Sequence, residues 1–287
     1  MLENNAKNLV KISVQGEAQH PYIGSPYRID KEGQAHILTA TGGIVFNVKT
    51  GDPAMGWEAD HVEPGVTIKN PDKICNTALN VYTCIGNEAK IMSGDAKGKK
   101  GIAVGGHGGV DHIMVYFPEE VLEDMTLGDK IRIKACGQGL KLTKYPKIHV
   151  MNIDPDLFAK LRIEEHDEKI KVPVTHVVPP YMMGSGIGTA TAAKGDYDIM
   201  TTDKEEIAKH NLQTLRLGDI VLIKDWSNNY GRAYQKGAVT IGVVIHGDSI
   251  KMGHGPGIEV IMTAATDLIE GVITSDANIA NYLGINE

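Results

Sequence analysis

Residues 89–117 read AKIMSGDAKGKKGIAVGGHGGVDHIMVYF, a stretch in which three apolar runs are separated by two glycine-rich turns. The runs are rich in Ile, Val and Ala, and glycine or a polar residue bounds them, which is typical of short β-strands joined by tight turns. Similar runs recur elsewhere in the chain as LVKISVQGE, GGIVFNVKTG, DKIRIKA, DIVLIKDW and GAVTIGVVIHGD. We therefore predict a mainly β protein with small β-barrels or sandwich-like sheets.

Helices are expected to be few and short. The segment DPDLFAKLRI begins with Asp154 as a candidate N-cap and Pro155 at the first helical position. TDKEEIAKH has capping-box spacing, with Thr202 or Asp203 before two glutamates. The segments PEEVLEDM and SDANIANYLG are the other two helical candidates.

Composition limits both the architecture and the partners. The chain has 287 residues, of which 42% are hydrophobic and 23% charged, the balance of a folded globular protein with room for two domains. The charge-dense segment RIEEHDEKIKV predicts a boundary between β-rich domains at 1–163 and 164–287. A net charge of −7 argues against a general nucleic-acid binder.

Apolar runs and cysteine spacing indicate the compartment and the state of the thiols. No apolar run is long enough for a signal peptide or a membrane span, so we expect a cytoplasmic protein that does not bind membranes. Cys75, Cys84 and Cys136 are odd in number and have no C-x-x-C spacing. They argue against a disulfide framework and against a cysteine zinc site.

A Leu-Gly-Asp turn occurs twice, each time after a short acidic-headed helical segment and before an alternating strand ending in Ile-Lys. Asp129 and Asp219 are the aspartates of these turns. Glycine adopts the awkward dihedral angles, and aspartate bonds back to the backbone. We therefore interpret both aspartates as turn residues and not as ligands.

The opening stretch resembles the KOW-type hairpin of small SH3-like barrels through Gly94, Lys97, Gly98 and Gly101 and the strand that follows. The resemblance implies a barrel at about 86–145. In the KOW families this motif often contacts RNA or a protein partner. A non-catalytic binding or scaffold protein, using Lys97, Lys99 and Lys100, is therefore the alternative to an enzyme.

Histidines in turn-like settings carry the main functional hypothesis. Imidazole and carboxylate groups on short turns suit zinc or another divalent ion. For any one histidine, a hydrogen bond within its loop is the commoner role, and spacing alone is a weak signal. The candidate metal ligands are His61, His107, His112, His246 and His254.

A metal-dependent hydrolase of an amide or related bond in a small molecule is the leading hypothesis. A bound ion lowers the pKa of its water towards about 7, which makes hydroxide available. Asp60, Asp111 or Glu259 would act as general base, and Arg232 would orient an anionic substrate. The glycines of GSGIG fail the dinucleotide spacing, so no nucleotide cofactor is expected. A third possibility is a homo-oligomer that metal stabilises without turnover.

Several longer strings resemble an uncharacterised bacterial family, domain of unknown function 4438. They are QGEAQHPYIGSPYRI, GDPAMGWEADHVEPGV, GSGIGTATAAKGDYDIMTTD, YGRAYQKGAVTIGVVIHGD and GHGPGIEV. The family implies a mainly β architecture and leaves the reaction open. Residues 236–260 are also similar to a glycine-rich region of the acetamidase/formamidase family, although extra residues separate the strand from the turn.

Overall fold

The computed structural model describes residues 2–285, and strands dominate it. The prediction of a mainly β chain with a small barrel and few short helices is confirmed. The strands are β1 (Ile12–Ala18), β2 (Arg28–Ile29), β3 (Ala35–His36), β4 (Val66–Lys69), β5 (Glu88–Ile91), β6 (Lys100–His107), β7 (His112–Tyr116), β8 (Lys130–Ala135), β9 (Ile148–Val150), β10 (Glu164–His166), β11 (Lys169–Val174), β12 (His176–Val178), β13 (Tyr197–Asp198), β14 (Ile220–Ser227), β15 (Ala233–His246), β16 (Gly257–Ala264) and β17 (Ile269–Ile273).

The helices are α1 (Lys73–Tyr82), α2 (Glu119–Leu122), α3 (Pro155–Lys160), α4 (Lys204–Lys209) and α5 (Ile279–Leu283). Four of them fall in the predicted segments, and Asp154 and Asp203 cap α3 and α4 as expected. Helix α1 was not predicted, although Asp72 caps it by accepting a hydrogen bond from the Cys75 backbone N–H. No helix of the described residues is both long and apolar enough to cross a membrane.

Six strands close into an antiparallel barrel in the order β1–β4–β7–β6–β5–β8. The hairpin of the opening stretch forms β6 and β7, in which His107 pairs with His112 across the turn. The barrel also takes β1 and β4, so it draws on residues well before the expected start at 86. At the other end of β6, Lys97, Lys99 and Lys100 are exposed, and Lys100 forms an ion pair with Glu88.

The second large sheet has the order β12–β14–β15–β16–β13, with β9 added along β16. Its central strands β15 and β16 contact β6 of the barrel. Val104 and Met114 of the barrel belong to the same buried cluster as Val243 and Ile245 of the sheet. The barrel and this sheet therefore share one core, and the ends of their strands meet at its edge.

Two smaller sheets complete the fold, one in the order β10–β11–β17 and one formed by β2 and β3. Both Leu-Gly-Asp turns behave as predicted. Asp129 accepts a hydrogen bond from the Thr126 backbone N–H, and Asp219 accepts one from the Arg216 backbone N–H, each at 2.9 Å. The glycine in each turn has a positive φ, near 90°. The two Leu-Gly-Asp segments thus form the same type of turn, one before β8 and one before β14.

Candidate functional site

Four of the five candidate histidines converge where the barrel meets the large sheet. His107 ends β6 and His246 ends β15, whereas His61 and His254 lie in the loops before β4 and β16. Neighbouring rings within this cluster lie 4.2 to 5.8 Å apart between centroids. A cavity of about 490 Å³ opens onto the cluster. The strand ends fix two of these imidazoles, and the loops present the other two.

Two aspartates complete the cluster, Asp196 directly before β13 and Asp198 at its end. Asp196 and Asp198 are two residues apart, so both carboxylates point to one side of the extended chain. Tyr197 between them points the other way, is fully buried, and stacks on Trp226 at 5.9 Å. The core thus holds the segment in the register that aims both carboxylates at the histidines.

The first set of ligand atoms, here called the open triad, consists of His61, Asp198 and His254. His254 Nδ1 lies 3.1 Å from His61 Nε2 and 3.0 Å from Asp198 Oδ2, and His61 Nε2 lies 3.6 Å from that oxygen. Ligands at zinc–nitrogen and zinc–oxygen bond lengths in a tetrahedron are about 3.4 Å apart. The open triad therefore has the spacing of three ligands around one tetrahedral ion.

The second set, here called the buried triad, consists of His107, Asp196 and His246, whose ligand atoms lie within 4.8 Å of one another. His246 Nε2 lies 2.8 Å from Asp196 Oδ2, yet neither atom has a well-oriented hydrogen bond, and both are inaccessible to solvent. Buried polar atoms are nearly always hydrogen-bonded. Two unpartnered lone pairs that face each other are what a metal ion or a proton would satisfy.

Outer hydrogen bonds fix the rings of three histidines. His61 Nδ1 lies 3.1 Å from Asp60 Oδ1, and His246 Nδ1 lies 2.8 Å from the Gly247 carbonyl oxygen. His107 Nδ1 lies 2.5 Å from Glu63 Oε1. Each ring thereby donates one N–H to an oxygen and turns its other nitrogen towards the aspartates. Histidines that bind metals have this arrangement, which sets both the tautomer and the orientation of the ring.

A second layer supports these acceptors. Asp60 also accepts a hydrogen bond from Ser249 Oγ at 2.6 Å, and Arg28 Nε lies 3.2 Å from its other oxygen. Glu63 accepts hydrogen bonds from Thr67 and from His112 Nδ1, the latter at 3.2 Å. His112, expected to bind metal beside His107, therefore contacts the carboxylate that orients His107 and lies outside both triads.

The charges of the cluster depend on one another. Burial alone would raise the pKa of Asp198 and Glu63, but hydrogen bonds from histidines outweigh it and hold both well below the ordinary range. Burial lowers the pKa of His246, but Asp196 and Asp198 raise it well above its ordinary value. Burial and the charge of His246 lower the pKa of His107. The carboxylates are thus ionised and need positive charge beside them.

Glycines allow the loop after His107 and the segment before Asp196 to approach closely. Gly108 donates its backbone N–H to Asp196 Oδ1 at 2.7 Å. A Cβ on Gly195 would lie 2.7 Å from the Gly108 Cα, so only glycine fits there. A Cβ on Gly257 would collide with both Asp196 Oδ2 and His246 Nε2. The space beside these two atoms is kept open.

The candidate catalytic residues lie in different places. Asp60 lies behind His61, whereas Asp111 lies at the cavity rim, 3.1 Å from Lys194. Glu259 is buried and accepts the Gly106 backbone N–H at 2.7 Å. Arg232 is buried and donates to the backbone carbonyls of Asp196 and Lys194, so it holds the segment before β13.

Asp196 and Asp198 were not identified as ligands from the sequence, and Glu63 was not identified as the support of His107. The signal for the aspartates was present in GDYD, because alternation in an extended segment puts both on one face. The signal for Glu63 was weaker, since its role depends on contact with a hairpin more than forty residues away.

Comparisons with known proteins agree with this architecture. The DUF4438 N-terminal domain, a domain of unknown function, matches residues 27–159, and the DUF4438 C-terminal domain matches residues 160–283. A crystal structure of a protein designated TM1086 is 50% identical, with 98% of this chain and 99% of that chain covered and a TM-score of 0.94. No curated protein matches the chain. Because the two family models together cover most of its length, the chain belongs to the DUF4438 family.

Proposed function

We propose that this protein is a metal-dependent hydrolase that cleaves an amide or related bond in a small molecule. The observation that carries the proposal is the orientation of three buried histidines. Each donates one ring N–H to an oxygen and turns its free nitrogen towards two ionised aspartates. Two histidine nitrogens and a carboxylate oxygen form one of the ligand sets of catalytic zinc sites.

The open triad favours a catalytic ion over a structural one. Structural zinc sites are closed by four protein ligands, whereas catalytic sites keep three and leave a position for water or substrate. The open triad has three ligands and lines the cavity, and His254 is half-buried at its edge. The free position of an ion held there faces the space where a substrate would enter.

The reaction follows from that position. An ion held by His61, Asp198 and His254 would supply hydroxide at neutral pH by lowering the pKa of its water, and hydrolysis begins with addition of hydroxide to the carbonyl carbon of the substrate. The carbon–nitrogen bond then breaks, and the nitrogen takes up a proton to leave as an amine. One water is consumed, and a carboxylic acid is the second product. Asp111, at the cavity rim beside Lys194, is the carboxylate best placed to move protons to and from a substrate.

Positive side chains around the cavity favour a substrate that carries an anionic group. Lys194 and Lys251 both line the cavity and are half-buried there, and Lys194 pairs with Asp111, which leaves Lys251 to meet the anionic group. The Arg232 guanidinium, by contrast, is engaged with backbone carbonyls, so its contribution to the site is to hold Asp196. An N-acylated amino acid or a similar carboxylate-bearing amide has the matching charge.

Metal analysis and turnover test the proposal together. The purified protein should contain zinc or bind it after chelation and reconstitution, and it should hydrolyse members of a panel of amides, lactams and esters. His254→Ala should abolish turnover. His176→Ala is the matched control, because His176 is buried and bonds to Thr175 and Thr214, outside the cluster. Absence of zinc binding, or equal activity in both variants, would overturn it.

The alternative of a binding protein predicts a different result. Lys97 and Lys99 precede β6, whereas Lys100 begins the strand and His107 ends it, so Lys100 and His107 lie roughly 23 Å apart at 3.3 Å per residue. Salt-dependent retention on RNA that disappears when the three lysines become glutamate, without a change in metal content, would favour the binding function. A metal-stabilised oligomer would bind zinc and show no turnover.

A further inference from the structure

The two triads lie so close together that one carboxylate faces both. Asp198 Oδ2 lies 3.0 Å from His254 Nδ1 and 3.6 Å from His61 Nε2 in the open triad. Asp198 Oδ1 lies 3.6 Å from His246 Nε2 in the buried triad. The carboxylate is more than nine-tenths buried, and its two oxygens thus point to different sets of histidine nitrogens.

The buried triad has the marks of a binding site in its own right. His246 is fully buried and its Nε2 has no well-oriented partner, and the same is true of Asp196 Oδ2 beside it. Gly257 leaves the space against these two atoms free of a side chain. His107 turns its Nε2 away from Glu63, which accepts its Nδ1–H. The ligand atoms of His107, Asp196 and His246 thus lie within 4.8 Å of one another, and those of Asp196 and His246 lack a hydrogen-bond partner.

We propose that the two triads form one dinuclear metal centre, with Asp198 as the carboxylate that bridges the ions. One ion is held by His61, His254 and Asp198, and the other by His107, His246 and Asp196. The inference deepens the proposed hydrolase function and rests on it for the role of the ions. A bridging carboxylate is consistent with ions about 3.5–4 Å apart, the usual spacing of two-metal sites.

The two ions have different roles because their ligands differ in exposure to the cavity. The ion of the open triad faces the cavity and carries the position for water or substrate. The ion of the buried triad is held by strand ends and shares Asp198, so it neutralises the bridging carboxylate and holds it in place. In two-metal sites the pair stabilises both the attacking and the leaving atoms. The substrate class that fits is again a small amide with an anionic group.

The number of bound metal ions distinguishes a dinuclear centre from a single ion in the open triad. The wild-type protein, stripped with a chelator and reconstituted with zinc alone, should bind two ions per chain by mass spectrometry of the metal. His246→Ala and His254→Ala should each bind one, and His176→Ala should still bind two. Asp196→Asn keeps the shape of the buried triad and should also bind one, which guards against misfolding of the alanine variant.

The Mn²⁺-loaded protein provides a second readout that does not depend on turnover. Electron paramagnetic resonance should show coupled ions in the wild type and an isolated Mn²⁺ spectrum in His246→Ala and His254→Ala. One ion per wild-type chain, or two ions without coupling, would overturn the dinuclear centre. If a single ion supports hydrolysis, the hydrolase proposal stands without it. If two coupled ions support no hydrolysis, the centre stands and the proposed reaction does not.

Discussion

The open and buried triads use the same chemical groups but are attached to the fold in different ways. His61 and His254 of the open triad lie in loops, and His61 has a left-handed backbone with φ of 55°, which is uncommon for a residue other than glycine. His107 and His246 of the buried triad end strands that pack in the shared core. A change near the buried triad should therefore affect folding and metal binding together, whereas a change at the cavity rim, outside both triads, should affect chemistry alone.

Gly257→Ala should give the largest effect, because its methyl group would collide with Asp196 Oδ2 and His246 Nε2. Gly257 begins β16 in the middle of the large sheet and cannot move aside easily. We expect the buried triad to lose its metal and the free energy of unfolding to fall by about 3 kcal/mol. Chemical denaturation and metal analysis measure the two effects.

Gly24→Ala is the control for this change, because Gly24 is exposed and its nearest neighbour is the flexible end of Tyr22. It should leave both quantities as in the wild type. Full metal content and normal stability in Gly257→Ala would mean that metal binding does not need the space beside His246. The expectation that changes near the buried triad affect folding and metal binding together would then be wrong.

Glu259 accepts the N–H of Gly106, next to His107 of the buried triad. This carboxyl should make the free energy of unfolding depend on pH. Burial raises the pKa of this carboxyl to about 8, although the Gly106 N–H opposes the shift. The folded state then holds the proton more tightly than the unfolded chain, whose pKa is near 4.5, so stability falls as pH rises between these values. From pH 5 to pH 7.5 the loss is about 3 kcal/mol.

Glu259→Gln should abolish this loss, because the amide oxygen still accepts the Gly106 N–H and carries no charge. Denaturation of both proteins in chelator, at several pH values, isolates the effect as the difference between two curves. The curves should diverge as pH rises, with the variant the more stable. Parallel curves would mean that Glu259 ionises freely in the fold.

Glu63→Gln tests the layer behind the buried triad. The Glu63 carboxylate orients His107 and makes it a better ligand, and removing such a partner usually costs 10- to 100-fold in metal affinity, or about 1.4–2.8 kcal/mol. Zinc titration should show this loss with the fold intact by circular dichroism. Glu58→Gln, an exposed change in the same segment, should bind zinc as the wild type does. Equal affinity in the two variants would remove Glu63 from the site.

Local signals predicted much of the fold. The strands of the opening hairpin, the caps Asp154 and Asp203, and both Leu-Gly-Asp turns depend on residues within a few positions of one another. The closure of the barrel did not follow from sequence, because β1 and β4 join it through pairings with distant strands. Helix α1 was missed despite its local cap at Asp72.

The site was predictable in its histidines and not in its organisation. Glycine-lined turns pointed to His107, His246 and His254, and acidic neighbours pointed to His61. The division into two triads, however, depends on contacts across as many as 193 positions. His112 and His107 have similar sequence settings and both contact Glu63, but only His107 lies within ligand distance of Asp196 and His246. Sequence patterns identify ligand types, and tertiary contacts decide which atoms meet.

Asp111→Asn should have the smallest effect on the fold. Asp111 lies at the cavity rim with a left-handed backbone, which asparagine also tolerates, and its ion pair with Lys194 is partly exposed. Such pairs contribute about 1 kcal/mol or less, so stability and zinc content should match the wild type. Asp167→Asn, on an exposed turn with the same backbone, is the control. If Asp111 moves protons in hydrolysis, kcat should fall about 100-fold or more in Asp111→Asn alone. A loss of zinc in Asp111→Asn would show instead that the cavity rim contributes to metal binding. That result would contradict the expectation that changes at the rim affect chemistry alone.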